Sequence, residues 1–173
     1  MVALGAFRQG ATSSRRPRTL PGNARAIDEA VAHCRRLVTK RALMSAGVVL
    51  VPVPGLDIAA DIALLARLVE EINDAFGLSH ASIEALAPRR RILVYRAIVV
   101  IGGAMVGRLV TQNMVMKTLL SVGVRLTAVQ AARYVPVAGQ ALAAGLSFTA
   151  MRYVGLNHLR DCEQVARRVL PVD

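Results

Sequence analysis

The chain has no tryptophan, and aromatic residues fill only 3% of its 173 positions. Stacking platforms for bases or sugars are therefore nearly absent. Two cysteines, Cys34 and Cys162, are too few for a disulfide framework. No paired C-x-x-C motif suggests zinc, and a reducing compartment is the default reading. There is no G-x-x-x-x-G-K-[ST] loop to wrap phosphates with backbone N–H groups, and neither Lys40 nor Lys117 follows such a loop. The run from Gly102 to Arg108 is glycine-rich but lacks the Lys-Ser/Thr ending and a preceding strand. A serine-centred nucleophile elbow and a dinucleotide fingerprint are also missing.

What is present is apolar and basic. Apolar residues make up 54% and mean hydropathy is +0.46, which excludes general disorder because the chain has ample surface to bury. Twenty-two basic residues stand against eleven acidic ones, for a net charge of +11. That balance suits a membrane surface, a nucleic acid or an acidic protein. Arginine outnumbers lysine twenty to two and alanine is abundant, which points weakly to a GC-rich bacterial genome.

The charge is unevenly distributed. Residues 1–41 carry nine basic and two acidic groups, and residues 42–87 carry one and six. Residues 88–135 carry eight basic groups and no acid, and residues 136–173 carry four and three. No carboxylate occurs between Glu84 and Asp161. Residues 1–22 read as a disordered basic arm, with Arg8, Arg15, Arg16 and Arg18 among the breakers Ser13, Ser14, Pro17, Pro21 and Gly22. The arm lacks the apolar stretch of a secretory signal, while a transit peptide remains an open alternative.

Residues 23–173 read as one all-α domain. A first helix is expected from about Asn23 to Leu50, with Ile27, Ala30, Val31, Cys34, Leu37, Val38, Leu43 and Met44 as its apolar stripe. Pro52, Pro54 and Gly55 then force a corner, since proline lacks an N–H and clashes with the preceding turn. Asp57 opens a second helix as its cap or as an offset to its dipole. That helix presents Ala59, Ile62, Leu65, Leu68, Val69, Ile72 and Phe76 on one side and Glu70, Glu71 and Asp74 on the other. Gly77 followed by Leu78 is a left-handed stop. A short helix is expected over 79–86, limited by Pro88. The segment 89–127 is apolar nearly all round, with a break expected near Gly102-Gly103 or Gly123. The last helix runs through Phe148, Met151, Val154, Leu159, Cys162, Val165, Ala166 and Val169.

A second corner, Val135-Pro136-Val137-Ala138-Gly139, echoes Val51-Pro52-Val53-Pro54-Gly55 at an offset of 84 residues. The expected architecture is a compact bundle of two helix–turn–helix hairpins with Pro/Gly corners. The longest uncharged run, Tyr134 to Met151, is eighteen residues and meets the lower length of a membrane span, but Pro136, Gly139, Gln140 and Gly145 dilute it. A bundle that touches membranes without independent spanning helices is favoured over one that crosses them.

Val51-Pro52-Val53-Pro54-Gly55-Leu56-Asp57, Asp61, Phe76-Gly77-Leu78-Ser79 and Ser82-Ile83-Glu84-Ala85-Leu86-Ala87 together resemble the helical C-terminal region of the immunity-related, interferon-inducible GTPases. The second corner, Ser147-Phe148-Thr149 and the final amphipathic helix follow in the same order. There is a looser likeness to uncharacterised bacterial families of helical membrane-associated proteins. The resemblance spans about residues 27–170. The family's nucleotide-binding domain is missing, so its GTP hydrolysis does not carry over. The resemblance implies a helical unit that aids membrane attachment or couples to a partner.

Candidate chemistry is sparse. Asp57 and Asp61 lie four apart on one helix face and could pair for a metal or for acid–base work. The favoured reading gives Asp57 to the helix start and Asp61 to an arginine of the basic third segment. His158, Asp161 and Cys162 share a face, and His33 and Cys34 could meet them on zinc if the terminal helices pack. The favoured reading puts both cysteines in the apolar faces and both histidines at their borders, with His80 on ordinary surface. No catalytic, cofactor-binding or metal residue is assigned. Arg89, Arg90 and Arg91, with Arg15, Arg16 and Arg18 of the arm, are the expected contacts to an anionic surface. The competing reading is a solvated face paired with Glu70, Glu71 and Asp74.

The expected function is therefore a non-catalytic, cytoplasmic module at an anionic membrane surface or on a protein partner, which could be a separately encoded GTPase. Nucleic acid is disfavoured for want of a motif or an aromatic platform, and oligomerisation is left open. The alternatives are a soluble interaction module for that GTPase and a membrane-inserting, pore-forming effector.

Overall fold

The computed structural model describes residues 18–49, 56–102, 106–107 and 138–170. Every regular element among the described residues is an α-helix: α1 (Ala24–Val49), α2 (Leu56–Ala75), α3 (His80–Glu84), α4 (Pro88–Ile101) and α5 (Ala138–Val169). The all-α reading holds, in a compact helical arrangement. Pro52, Pro54, Gly55 and Pro136 lie outside the described residues, so the two expected corners do too. Asp57 and Asp61 fall in the first turns of α2, and Gly139 is the second residue of α5.

Local chemistry sets the helix ends. Asn23 caps α1, its side-chain oxygen accepting the Ala26 N–H at 2.8 Å. At the end of α2, Gly77 has φ +63°. Its N–H donates to the Asp74 carbonyl at 3.1 Å, and Leu78 N–H donates to Asn73 at 2.8 Å. Those paired bonds, with Leu78 buried, form the Schellman stop expected from the sequence. Pro88 occupies the first turn of α4, where its missing N–H has no partner to lose. Gly102, at φ +73°, ends α4 by donating to the Ile98 carbonyl at 3.0 Å, which locates the break expected near this glycine pair.

Helix α5 is the hub, packing on α1, α2 and α4. It runs antiparallel to α1: Ser45 meets Ser147, Thr39 meets Arg152, and Asp28 meets Arg167. The core is built from Ile27, Cys34, Val38 and Ala42 of α1, Ile62 to Ile72 of α2 at helical spacing, and Met151, Val154, Leu159, Cys162 and Val165 of α5. These are the stripes expected from the sequence, with one correction. Leu43 and Met44 are exposed, and Ala42 and Ser45 take the buried positions. From Val38 the inward-facing line advances by four and then three residues, so Leu43 and Met44 fall off it.

The N-terminal segment joins the body before the expected boundary at residue 23. Leu20 packs on the core, and the Thr19 backbone lies so close to Gly77 that a Cβ there would sit 2.6 Å from it. Arg18 is exposed, while Arg15 and Arg16 lie outside the described residues.

Candidate functional site

Helix α4 carries the expected arginine cluster. Its buried residues are Val94, Ala97 and Ile98, a narrow inward stripe beneath which α5 lies. The opposite face is apolar and exposed: Ile92 is 54% accessible, Val99 79% and Val100 66%. Ile92, Tyr95, Arg96, Val99 and Val100 line a shallow depression of about 440 Å³. Most helices of a globular domain turn a polar face outward, whereas this one turns outward valines and isoleucine interleaved with arginine.

The three arginines at its start divide. Arg91 Nη1 donates to Glu84 of α3 at 2.8 Å, and the Tyr95 hydroxyl donates to the other oxygen of the same carboxylate at 2.8 Å. Those contacts, the Tyr95 bond foremost, hold the Glu84 carboxyl below the usual carboxylate range. Arg89 and Arg90 are exposed. Neither they nor Arg96 makes an ion pair among the described residues. The competing expectation, pairing with Glu70, Glu71 and Asp74, is not what forms. Glu71 instead accepts a 2.7 Å bond from Arg41 of α1, with both side chains largely buried. Helix α4 packs on α5 and α3, which puts Glu84 within reach of Arg91.

A buried polar cluster sits between α2 and α5, where the favoured sequence reading put an apolar face with histidine at its border. His158 is a core residue rather than a border one. Its Nε2 lies 3.0 Å from Asn73 Oδ1, and Cys162 Sγ lies 3.4 Å from that oxygen and 3.5 Å from His158 Nε2. Burial pushes the His158 pKa down to about 4, against a smaller opposing pull from the Val69 backbone. Burial likewise drives the Cys34 thiol up to about 11 and raises the Cys162 thiol well above its ordinary value. Beside this neutral imidazole the un-ionised Cys162 thiol lacks the thiolate character that nucleophilic cysteines need. Among the described residues no group of three or more His, Cys, Asp or Glu side chains is placed to hold a metal ion. His33 is exposed, whereas Cys162 is buried.

No helix among the described residues is long and apolar enough to cross a membrane. The chain matches no protein-family model, no curated protein and no solved structure.

Proposed function

We propose that this chain is a non-catalytic helical module that associates peripherally with anionic membranes, and that α4 is the contacting element. The observation that carries this reading is one acid-free helix face on which Arg89 and Arg96 stand among exposed Ile92, Val99 and Val100. Arginine stems lie along apolar surface while their guanidinium groups reach outward to phosphate. Each arginine contributes about 1 kcal/mol near an anionic leaflet. Partial burial of the three aliphatic side chains adds about 1 kcal/mol each. The total, about 5 kcal/mol, corresponds to peripheral, reversible attachment. The resemblance to the helical region of immunity-related GTPases implies a role of the same kind. The expected location is the cytoplasmic side of a membrane.

Co-sedimentation of the full chain with vesicles of phosphatidylcholine and phosphatidylserine tests the proposal. Binding at low salt, weakened as salt screens the arginines, is expected. Substituting Ile92→Asp and Val99→Asp together should weaken it about tenfold or more. No binding at low salt, or full binding by that variant, overturns the reading. Dye release from the same vesicles would instead mark the pore-forming alternative.

A further inference from the structure

We infer that the groove between α1 and α5 is a binding site for a phosphate-bearing anion. It lies apart from the α4 face and does not depend on the membrane reading. The cleft holds about 240 Å³, enough for a phosphate group with a small body attached, and Arg35, Arg152 and Arg160 line it. Leu159, which is buried, and half-buried Leu156 supply an apolar floor. Three arginines from two helices thus line one cleft, with Glu163 as the one carboxylate among its lining residues.

The cleft's own contacts leave that positive charge uncompensated. Its one carboxylate, Glu163, is engaged by Arg167, whose Nε donates to it at 2.9 Å. Arg167 also reaches across to Asp28 of α1 at 2.6 Å. The acid on the rim is thus held by a fourth arginine outside the cleft. Arg35, Arg152 and Arg160 form no ion pair among the described residues. Two of them are oriented by neutral oxygens instead. Arg152 Nη1 donates to Thr39 Oγ1 at 3.1 Å, and that hydroxyl donates to the Arg35 carbonyl at 3.1 Å. Arg160 Nη1 donates to Asn157 Oδ1 at 3.3 Å. Each guanidinium has five N–H donors, so most remain for a ligand. Planar forks from two sides match the tetrahedral oxygens of a phosphate, with charge-assisted bonds about twice as strong as neutral ones.

The ligand chemistry is a phosphomonoester or pyrophosphate, borne either by a soluble compound or by a lipid headgroup. Calorimetric titration of the full chain with inorganic pyrophosphate at low salt should show saturable, one-site binding. Arg152→Gln and Arg160→Gln should each weaken it about tenfold, and Arg67→Gln, at an exposed position on α2, should leave it unchanged. Because these side chains are exposed, thermal melting should show the variants folded. A second arm compares vesicles of equal charge containing phosphatidic acid or phosphatidylserine. A preference for phosphatidic acid that Arg152→Gln removes assigns the site to a lipid headgroup. Pyrophosphate binding without that preference assigns it to a soluble compound. No saturable pyrophosphate binding, or binding that survives both single substitutions, overturns the inference.

Discussion

Gly155 of α5 faces Val38 of α1 so closely that a Cβ built on the glycine would lie 3.0 Å from Val38 Cγ1 and 3.0 Å from Leu68 Cδ2 of α2. One missing side chain thus lets three helices meet at a single level. Gly155→Ala gains helix propensity of about 1 kcal/mol, but crowding a packed site costs about 1–3 kcal/mol. A net loss of about 1 kcal/mol is expected from chemical denaturation. Gly145 on the same helix has nothing within 4 Å of its would-be Cβ, so Gly145→Ala should stabilise. Pairing Val38→Ala with Gly155→Ala should cost less than the two losses added. Strict additivity would place the crowding elsewhere.

Gly77 makes a different demand. Its φ of +63° is one that L side chains rarely adopt, and the atoms a Cβ would meet at 2.6 Å are backbone atoms of Thr19. Backbone cannot swing aside as a side-chain tip can. Gly77→Ala should therefore destabilise by about 2 kcal/mol or more, combining left-handed strain with the clash. It should also raise hydrogen exchange or proteolysis in the segment 18–22. Loss of stability with that segment still protected would contradict the contact.

The buried imidazole makes stability depend on pH. The His158 pKa is about 4 in the folded chain and about 6.5 in an unfolded one. Between these values the unfolded state binds the proton and the folded state does not, so stability falls as pH falls. Its contribution is complete above about pH 6.5, declines through the window and levels off below about pH 4, a total of about 3 kcal/mol. His158→Gln should flatten that part of the profile relative to the parent, as read from denaturation midpoints at each pH. Parallel profiles would show that His158 does not titrate between the states.

Both thiols should be inert in the folded chain. Cys34 and Cys162 are fully buried, and burial disfavours their thiolates. A thiol reagent should label neither under native conditions at neutral pH and both in denaturant. Rapid native labelling of either would mean that α1 and α5 part far more readily than their packing implies.

The helical stripes of α2 and α5 were legible because their apolar spacing matches the period of a helix, and most of those positions are buried. The Gly77-Leu78 stop was legible because a left-handed glycine followed by an apolar residue has one common structural meaning. Pairwise choices were not. Arg41 and Arg91 both had several acids available, and only packing assigns Glu71 to one and Glu84 to the other. His158 read as a border residue until α2 and α5 meet and Asn73 faces it in the core. The α1–α5 cleft left a faint trace, since Arg152, Leu156, Arg160 and Glu163 recur at helical spacing. Nothing local, however, said that Arg35 would face them. The outward apolar face of α4 was hidden by a segment that reads as apolar all round, where periodicity cannot tell inside from outside.

The most direct test of the α4 assignment is depth-resolved quenching. A fluorophore on Val99→Cys, with the two native thiols buried, should be quenched by brominated acyl chains in phosphatidylserine-containing vesicles at low salt. The same label on Tyr153→Cys, an exposed position on α5, should be quenched much less. Equal quenching at both positions, or none at Val99→Cys while the protein sediments with the vesicles, would contradict the account.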